Sequence, residues 1–216
     1  RNMKKLGIIF LVMIIILGQA SMIVYAAEED YNNLTEKYDL LKEENIKLRE
    51  EILKLHNQLS ENHAEKIPVL MYHHLLMEED IDNYNWSKNS SVLSVEAFEK
   101  QMDYLYENGF YTATLNELNA FMDGKITLPE KTVVITFDDG YLSNALYAYP
   151  IMKKYNFRGT IFMLGYRVDG PQEPFNPTST HSLSIGEAYK YRDVFSYESH
   201  TYNLNDLDKD NKALIL

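Results

Sequence analysis

The sequence predicts an α/β fold built on a parallel sheet, and three observations carry that expectation. The run Val133-Val134-Ile135-Thr136-Phe137 shows no polar alternation, as a strand buried on both faces requires. Short apolar segments at Val69 to Tyr72, Phe110 to Ala113, Thr160 to Leu164 and Val194 to Ser199 alternate with stretches of helical period, the mark of strands joined by crossover helices. The central run then ends abruptly in Asp138-Asp139-Gly140. In parallel α/β folds the C-terminal ends of strands are where functional groups gather, because loops vary there without disturbing the core.

The 216 residues, 45% hydrophobic and 25% charged, suit a largely globular chain with one sizeable core. A net charge of -11 and no basic cluster beyond Lys4-Lys5 argue against a nucleic-acid surface, which needs a cationic stripe. With no cysteine, any metal must be held by Asp, Glu, His or amide oxygen.

Taken in order, Arg1, Lys4 and Lys5 precede the apolar run Leu6 to Leu17, and small residues follow at Ala26 and Ala27. Residues 1–27 therefore read as a secretory signal or an uncleaved membrane anchor, and the basic flank places everything downstream on the extracellular side. Residues 28–65 read as a coiled-coil stalk: Tyr31, Leu34, Tyr38, Leu41, Asn45, Leu48, Ile52, Leu55 and Leu59 recur at alternating intervals of three and four. Asn45 falls at an a position, which favours a parallel homodimer; Glu44 and Arg49 can pair across it, while Lys37 and Lys42 repel. A single amphipathic stalk helix is the alternative.

The helical pattern fades before Pro68, and residues 66–216 form the next domain. Val69 to Tyr72 makes a first strand, and Asp80 to Ser91 a polar loop. Ser94 caps a helix with an inner face of Val95, Phe98, Met102 and Leu105, closed by Gly109. After the strand Phe110 to Ala113, Thr114 and Glu117 make a capping box for a helix ended by Gly124. Beyond Gly140 the chain is helical and restarts at Pro150, which suits a first helical turn. Asp169 to Ser182, with three prolines, read as a surface loop.

A strand followed by an ordinary Asp-Gly turn would account for Asp138 to Gly140 alone. The blocks around it point further. Ile67 to His74, Thr136-Phe137-Asp138-Asp139-Gly140, Gly159 to Met163 and Ser199-His200-Thr201-Tyr202-Asn203-Leu204 together resemble the polysaccharide deacetylases, the NodB-like carbohydrate esterases. Thr-Phe-Asp-Asp-Gly matches that family's first motif and His-Thr belongs to its second, and the resemblance runs from about Ile67 onward.

The resemblance implies a partial (β/α) barrel, incomplete at its C-terminal side, and removal of N-acetyl groups from an extracellular GlcNAc-containing polysaccharide. It implies Asp138 as catalytic base, and Asp139 and His200 as ligands of a divalent metal, with zinc the default. The second histidine of the motif departs from the family: Leu204 and Asn205 stand where it belongs. Asn205 offers only a neutral amide oxygen, which predicts a weakly held metal and little turnover. His73 or His74, at the end of the first strand, is a candidate to compensate; His181 carries less weight. No Arg-Pro segment, Trp-lined wall or late histidine is found after His200, and a strand without neighbours leaves an open edge and uncovered apolar surface. Two alternatives stand beside this reading: a catalytically silent coiled-coil surface protein with a remnant glycan-binding domain, and a polysaccharide O-acetyl esterase. Trp86 and Tyr141 are candidates to stack on sugar rings, though 17 Tyr and 9 Phe make packing the commoner role for any one ring.

Overall fold

The computed structural model describes residues 32–55, 57–58 and 62–202. The expected signal or anchor over residues 1–27 and the doubtful ligand Asn205 lie outside the described residues. The chain divides into two compact units, Arg1–Leu55 and His56–Leu216. Among the described residues no helix is long and apolar enough to cross a membrane.

In the first unit, residues 32–55 form one helix, α1. Its heptad-spaced Leu34, Leu41, Leu48 and Leu55 are all exposed by about half or more. Asn45 Nδ2 donates to Leu41 O at 2.9 Å, so this amide is satisfied within its own helix.

The second unit is organised by β5 (Thr132–Phe137), every residue of which is buried. It pairs in parallel with β1 (Val69–Tyr72), β4 (Tyr111–Thr112) and β6 (Gly159–Met163), and β6 pairs in parallel with β7 (Phe195–Ser199). The order is β1-β5-β6-β7, with β4 alongside the start of β5. Strand alternation sends Ile135, Phe137, Ile161 and Phe195 into one core with Val95, Phe98, Met102 and Leu105 of α3 (Val95–Glu107) and Met152 of α5 (Tyr149–Lys154). Fully burying each such side chain contributes about 1.5–3 kcal/mol. Aromatic edges tie the layers together: Tyr72 meets Phe98 at 5.0 Å, and Phe137 meets Phe195 at 5.5 Å. On β1, Val69 and Met71 are exposed.

The expected caps are present. Ala97 N–H donates to Ser94 Oγ at 3.1 Å, and Thr114 and Glu117 form the reciprocal box that starts α4 (Leu115–Met122). Two features differ from expectation. The region foreseen as loop holds α2 (Glu78–Asn83) and a 3₁₀ turn at Trp86–Lys88, and a second small parallel sheet joins β2 (His74–Leu76) to β3 (Val92–Ser94). Past Gly140, the helix begins as a π turn, Asn144–Ala148, before α5. Pro150 has no N–H to offer the preceding turn, and a wider turn just before it relieves the lost bond. A last short helix, α6 (Ile185–Ala188), follows the proline-rich segment, which forms no helix or strand of its own between residues 170 and 180.

Candidate active site

Two strand ends build the site. Asp138 N–H donates to Tyr72 O at 2.8 Å, which carries the β1–β5 ladder one residue past β5. Asp139 (φ 66°) and Gly140 (φ 63°) then both adopt the left-handed conformation, which turns the chain sharply. Asp tolerates that region better than most residues, and glycine occupies it without steric cost. Glycine is needed at 140 for space as well: a Cβ there would lie 3.2 Å from Met163 Cα.

On the other side, His200 N–H donates to Met163 O at 2.9 Å, so His200 extends the β6–β7 ladder as Asp138 extends its own. The two extensions bring the side chains together. His200 Nε2 lies 3.4 Å from Asp139 Oδ1 and 3.9 Å from Asp138 Oδ2, with side-chain exposures of 29% for His200, 17% for Asp138 and 14% for Asp139. The groups are sheltered but open to a ligand.

These donors fit a divalent cation as far as they go. Two ligands on a tetrahedral zinc, each at about 2.0–2.1 Å, are separated by roughly 3.3 Å, close to the 3.4 Å between His200 Nε2 and Asp139 Oδ1. Among the described residues no group of three or more His, Asp or Glu that could hold a metal is found, and the residue at 205 lies outside the described part.

The two histidines of the first strand end separate. By register His73 follows Tyr72, whose carbonyl receives the Asp138 amide, and it is half-buried. His74 enters β2 and is only 2% exposed. Its Nδ1 shares a 2.8 Å hydrogen bond with Ser143 Oγ, and its ring packs on Trp86 and Tyr141 at centroid distances of 5.4 and 4.9 Å. His74 Nε2 is buried without a hydrogen-bond partner. Burial, helped by the charge of nearby His181, holds the His74 pKa down at about 4. It is therefore a neutral structural imidazole at physiological pH.

Tyr141 and Trp86, candidates for sugar stacking, have other partners. Tyr141 Oη donates to Asp139 Oδ2 at 3.1 Å. Burial first, and then the Asp139 charge, push its pKa up to about 12, so the phenol keeps its proton. Trp86 Nε1–H donates to Pro177 O at 2.7 Å, which ties the proline-rich loop down. That loop is also joined to the acid turn: Leu183 N–H donates to Gly140 O and Leu142 N–H to His181 O, each at 2.8 Å. Beside it opens a polar cleft of about 330 Å³, lined by Arg167, Asp169, Glu173 and His181 among others. The structure brings the acids and His200 together; sequence reasoning did not place Tyr141 as their neighbour, for which its position two residues after Asp139, across a glycine, was the available signal.

Paired carboxylates and an imidazole thus meet at the strand ends of a parallel sheet. The comparisons point to one group of proteins. Residues 125–215 match the family model described as polysaccharide deacetylase. YxkH of Bacillus subtilis, a predicted polysaccharide deacetylase, is 36% identical over 124 residues, 56% of this chain and 41% of its own length. A poly-β-1,6-N-acetyl-D-glucosamine N-deacetylase of Staphylococcus aureus is 33% identical over 131 residues, 60% of this chain and 43% of its own length. Among solved structures, IcaB from Ammonifex degensii superposes with a TM-score of 0.55 at 26% identity, covering 71% of this chain and 61% of that one. The chain spans about four-tenths of the length of the curated relatives it matches. Together these findings support a polysaccharide deacetylase-type α/β domain.

Proposed function

We propose that the α/β unit belongs to a deacetylase that hydrolyses the acetamide of an N-acetylglucosamine-containing polysaccharide on the extracellular side of the membrane. The convergence of Asp138, Asp139 and His200 within 3.9 Å carries this reading. Similarity to the staphylococcal poly-β-1,6-N-acetyl-D-glucosamine N-deacetylase supports the substrate class, and the basic and apolar start of the sequence supports export.

Amide hydrolysis needs an activated water, a stabilised oxyanion and a proton for the leaving amine. A divalent cation, zinc by default, would be held by Asp139 and His200 and would supply an acidified water and stabilisation of charge on the acetamide oxygen. Asp138 is the base that takes the water's proton. His73, one residue past the β1 register with β5, is the candidate donor of the amine's proton. Asn205 in place of a histidine weakens the metal site, so turnover in this chain is low.

A second reading has its own observation. The exposed leucines of α1 suit a parallel homodimer, and in that reading the chain is a silent surface protein whose α/β unit at most binds glycan. Acetate release from a β-1,6-linked N-acetylglucosamine oligomer, with and without zinc, separates them for the full chain and for Asn205→His. Metal-dependent acetate release gained in Asn205→His and lost again with Asp138→Asn supports the impaired enzyme. Oligomer retention without acetate from either chain supports the silent module.

A further inference from the structure

The polar cleft is walled by segments tied to both strand ends that carry the acids and His200. One wall follows β6, where the 3₁₀ turn Gly165–Arg167 leaves the strand. Gly165 N–H and Tyr166 N–H donate to Thr201 O and Tyr202 O, just past His200. The other wall, from Thr180 to Ser184, is bonded to the acid turn from Leu142 to His181 and from Leu183 to Gly140. Ser182 of this wall bridges Tyr141, whose hydroxyl donates to Asp139. The two walls are braced against each other by Ile185 N–H donating to Val168 O, and by the Gln172 amide, which bonds Ser182 O and Ser184 N–H. A polymer that presents one unit to Asp138, Asp139 and His200 therefore has this cleft beside it. Its volume of about 330 Å³ lies within the range of small-ligand sites.

Most of the polar groups lining the cleft are already engaged. Glu173 Oε2 meets His181 Nδ1 at 3.2 Å, and His181 Nε2 shares a 2.9 Å bond with Ser179 Oγ. Ser184 Oγ accepts the Glu187 amide. The Arg167 guanidinium lies 5.0 Å over the Tyr166 ring, and its Nε donates to the Tyr166 hydroxyl. Asp169 is the charged exception: among the described residues its exposed carboxylate has no hydrogen bond or ion pair, even with Arg167 two residues before it.

A carboxylate accepts hydrogen bonds and donates none, so its partner must bring N–H or O–H groups. A cationic donor makes such a bond roughly twice as strong as a neutral one. Acetamide hydrolysis uncovers a group of this kind, a sugar amine that carries positive charge when protonated. The acetylated unit offers a methyl group in its place, and of the residues lining the cleft only Pro171 is apolar.

We infer that the cleft is a subsite for an already deacetylated sugar unit, and that Asp169 is the residue that prefers its ammonium group to an acetamide. The subsite rests on the proposed deacetylase reading and extends it, because a chain so built works beside its own product and leaves deacetylated units in runs.

The test is calorimetry on the full chain at pH 6.5 and physiological salt, where carboxylate and amine are both charged and distant charges are screened. A chelator prevents turnover. The probes are a β-1,6-linked N-acetylglucosamine tetramer and the same tetramer with one free amine, at each of the four positions in turn. One amine position should bind about fivefold tighter than the acetylated tetramer, as a charged over a neutral hydrogen bond gives in a solvent-open site. Asp169→Asn keeps the shape and removes the charge; it should bring that ratio to about one and leave the acetylated tetramer's affinity and the melting temperature unchanged. Glu107→Gln removes an equal charge from the last residue of α3 and should leave the ratio as it was. A ratio that falls equally in both variants reflects overall charge and overturns the subsite, as does a preference that survives Asp169→Asn. Acetate release by Asn205→His with zinc reports separately on the deacetylase reading. Acetate released with no preference for an amine overturns the subsite alone. No acetate and no tetramer bound overturn both.

Discussion

The stability of the α/β unit should fall on mild acidification because of one buried histidine. His74 is 2% exposed and its pKa is held down at about 4, against about 6.5 for histidine in an unfolded chain. Between those values the unfolded chain takes up a proton that the folded chain refuses, so falling pH favours unfolding. Integrating the two titrations gives a loss of about 2 kcal/mol by pH 5 and about 3 kcal/mol by pH 4, relative to pH 8. That is a large share of the roughly 5–15 kcal/mol by which small domains are stable. Urea unfolding at pH 8, 6, 5 and 4 measures it, followed by the fluorescence of Trp86, the single tryptophan of the chain, which packs on the His74 ring. Other groups also titrate over this range, so the decisive quantity is the difference between the parent and His74→Gln. Glutamine has no proton to gain there, and the variant, though weaker at pH 8, should lose less on acidification. A difference between the two proteins that stays constant from pH 8 to pH 4 would refute the argument.

Three further outcomes are expected. Gly140→Ala should destabilise by about 2 kcal/mol or more, since it combines a left-handed backbone with backbone crowding, whereas Gly109→Ala, at φ 69° with nothing within 4 Å, should cost only about 1 kcal/mol; thermal melts of the two variants make the comparison. Thr114→Ala removes the capping box of α4 and should cost about 1 kcal/mol, read from the urea midpoint at an unchanged slope. Met102→Ala empties a fully buried position against the sheet and should cost about 2–5 kcal/mol, again by urea unfolding; a loss under half a kilocalorie would mean that α3 does not seal the core.

Much of this architecture was legible because it rests on local chemistry. The uninterrupted run through β5, the Ser94 cap and the Thr114–Glu117 box are each written within a few adjacent residues, and the structure places each where the pattern requires. Asp138, Asp139 and His200 were named from their resemblance to the family's motifs, and they stand at the ends of β5 and β7, with β6 between the two strands. The features that escaped depend on pairs distant in sequence. Nothing near Val92 indicates that it lies opposite His74 in a second small sheet, and nothing near Trp86 indicates that its indole will reach Pro177. His74 shows the limit most clearly. Adjacent to His73 and identical in type, it is 2% exposed and held against Ser143, whereas its neighbour is half-buried. One residue of register separates a half-buried imidazole from one that makes the fold sensitive to acid. Tyr141 shows the same dependence. The left-handed turn at Asp139 and Gly140 redirects the phenol from solvent to the carboxylate, and backbone conformation of that kind follows from the packing of β6 and the loop at 181–183, not from the residues of the motif alone.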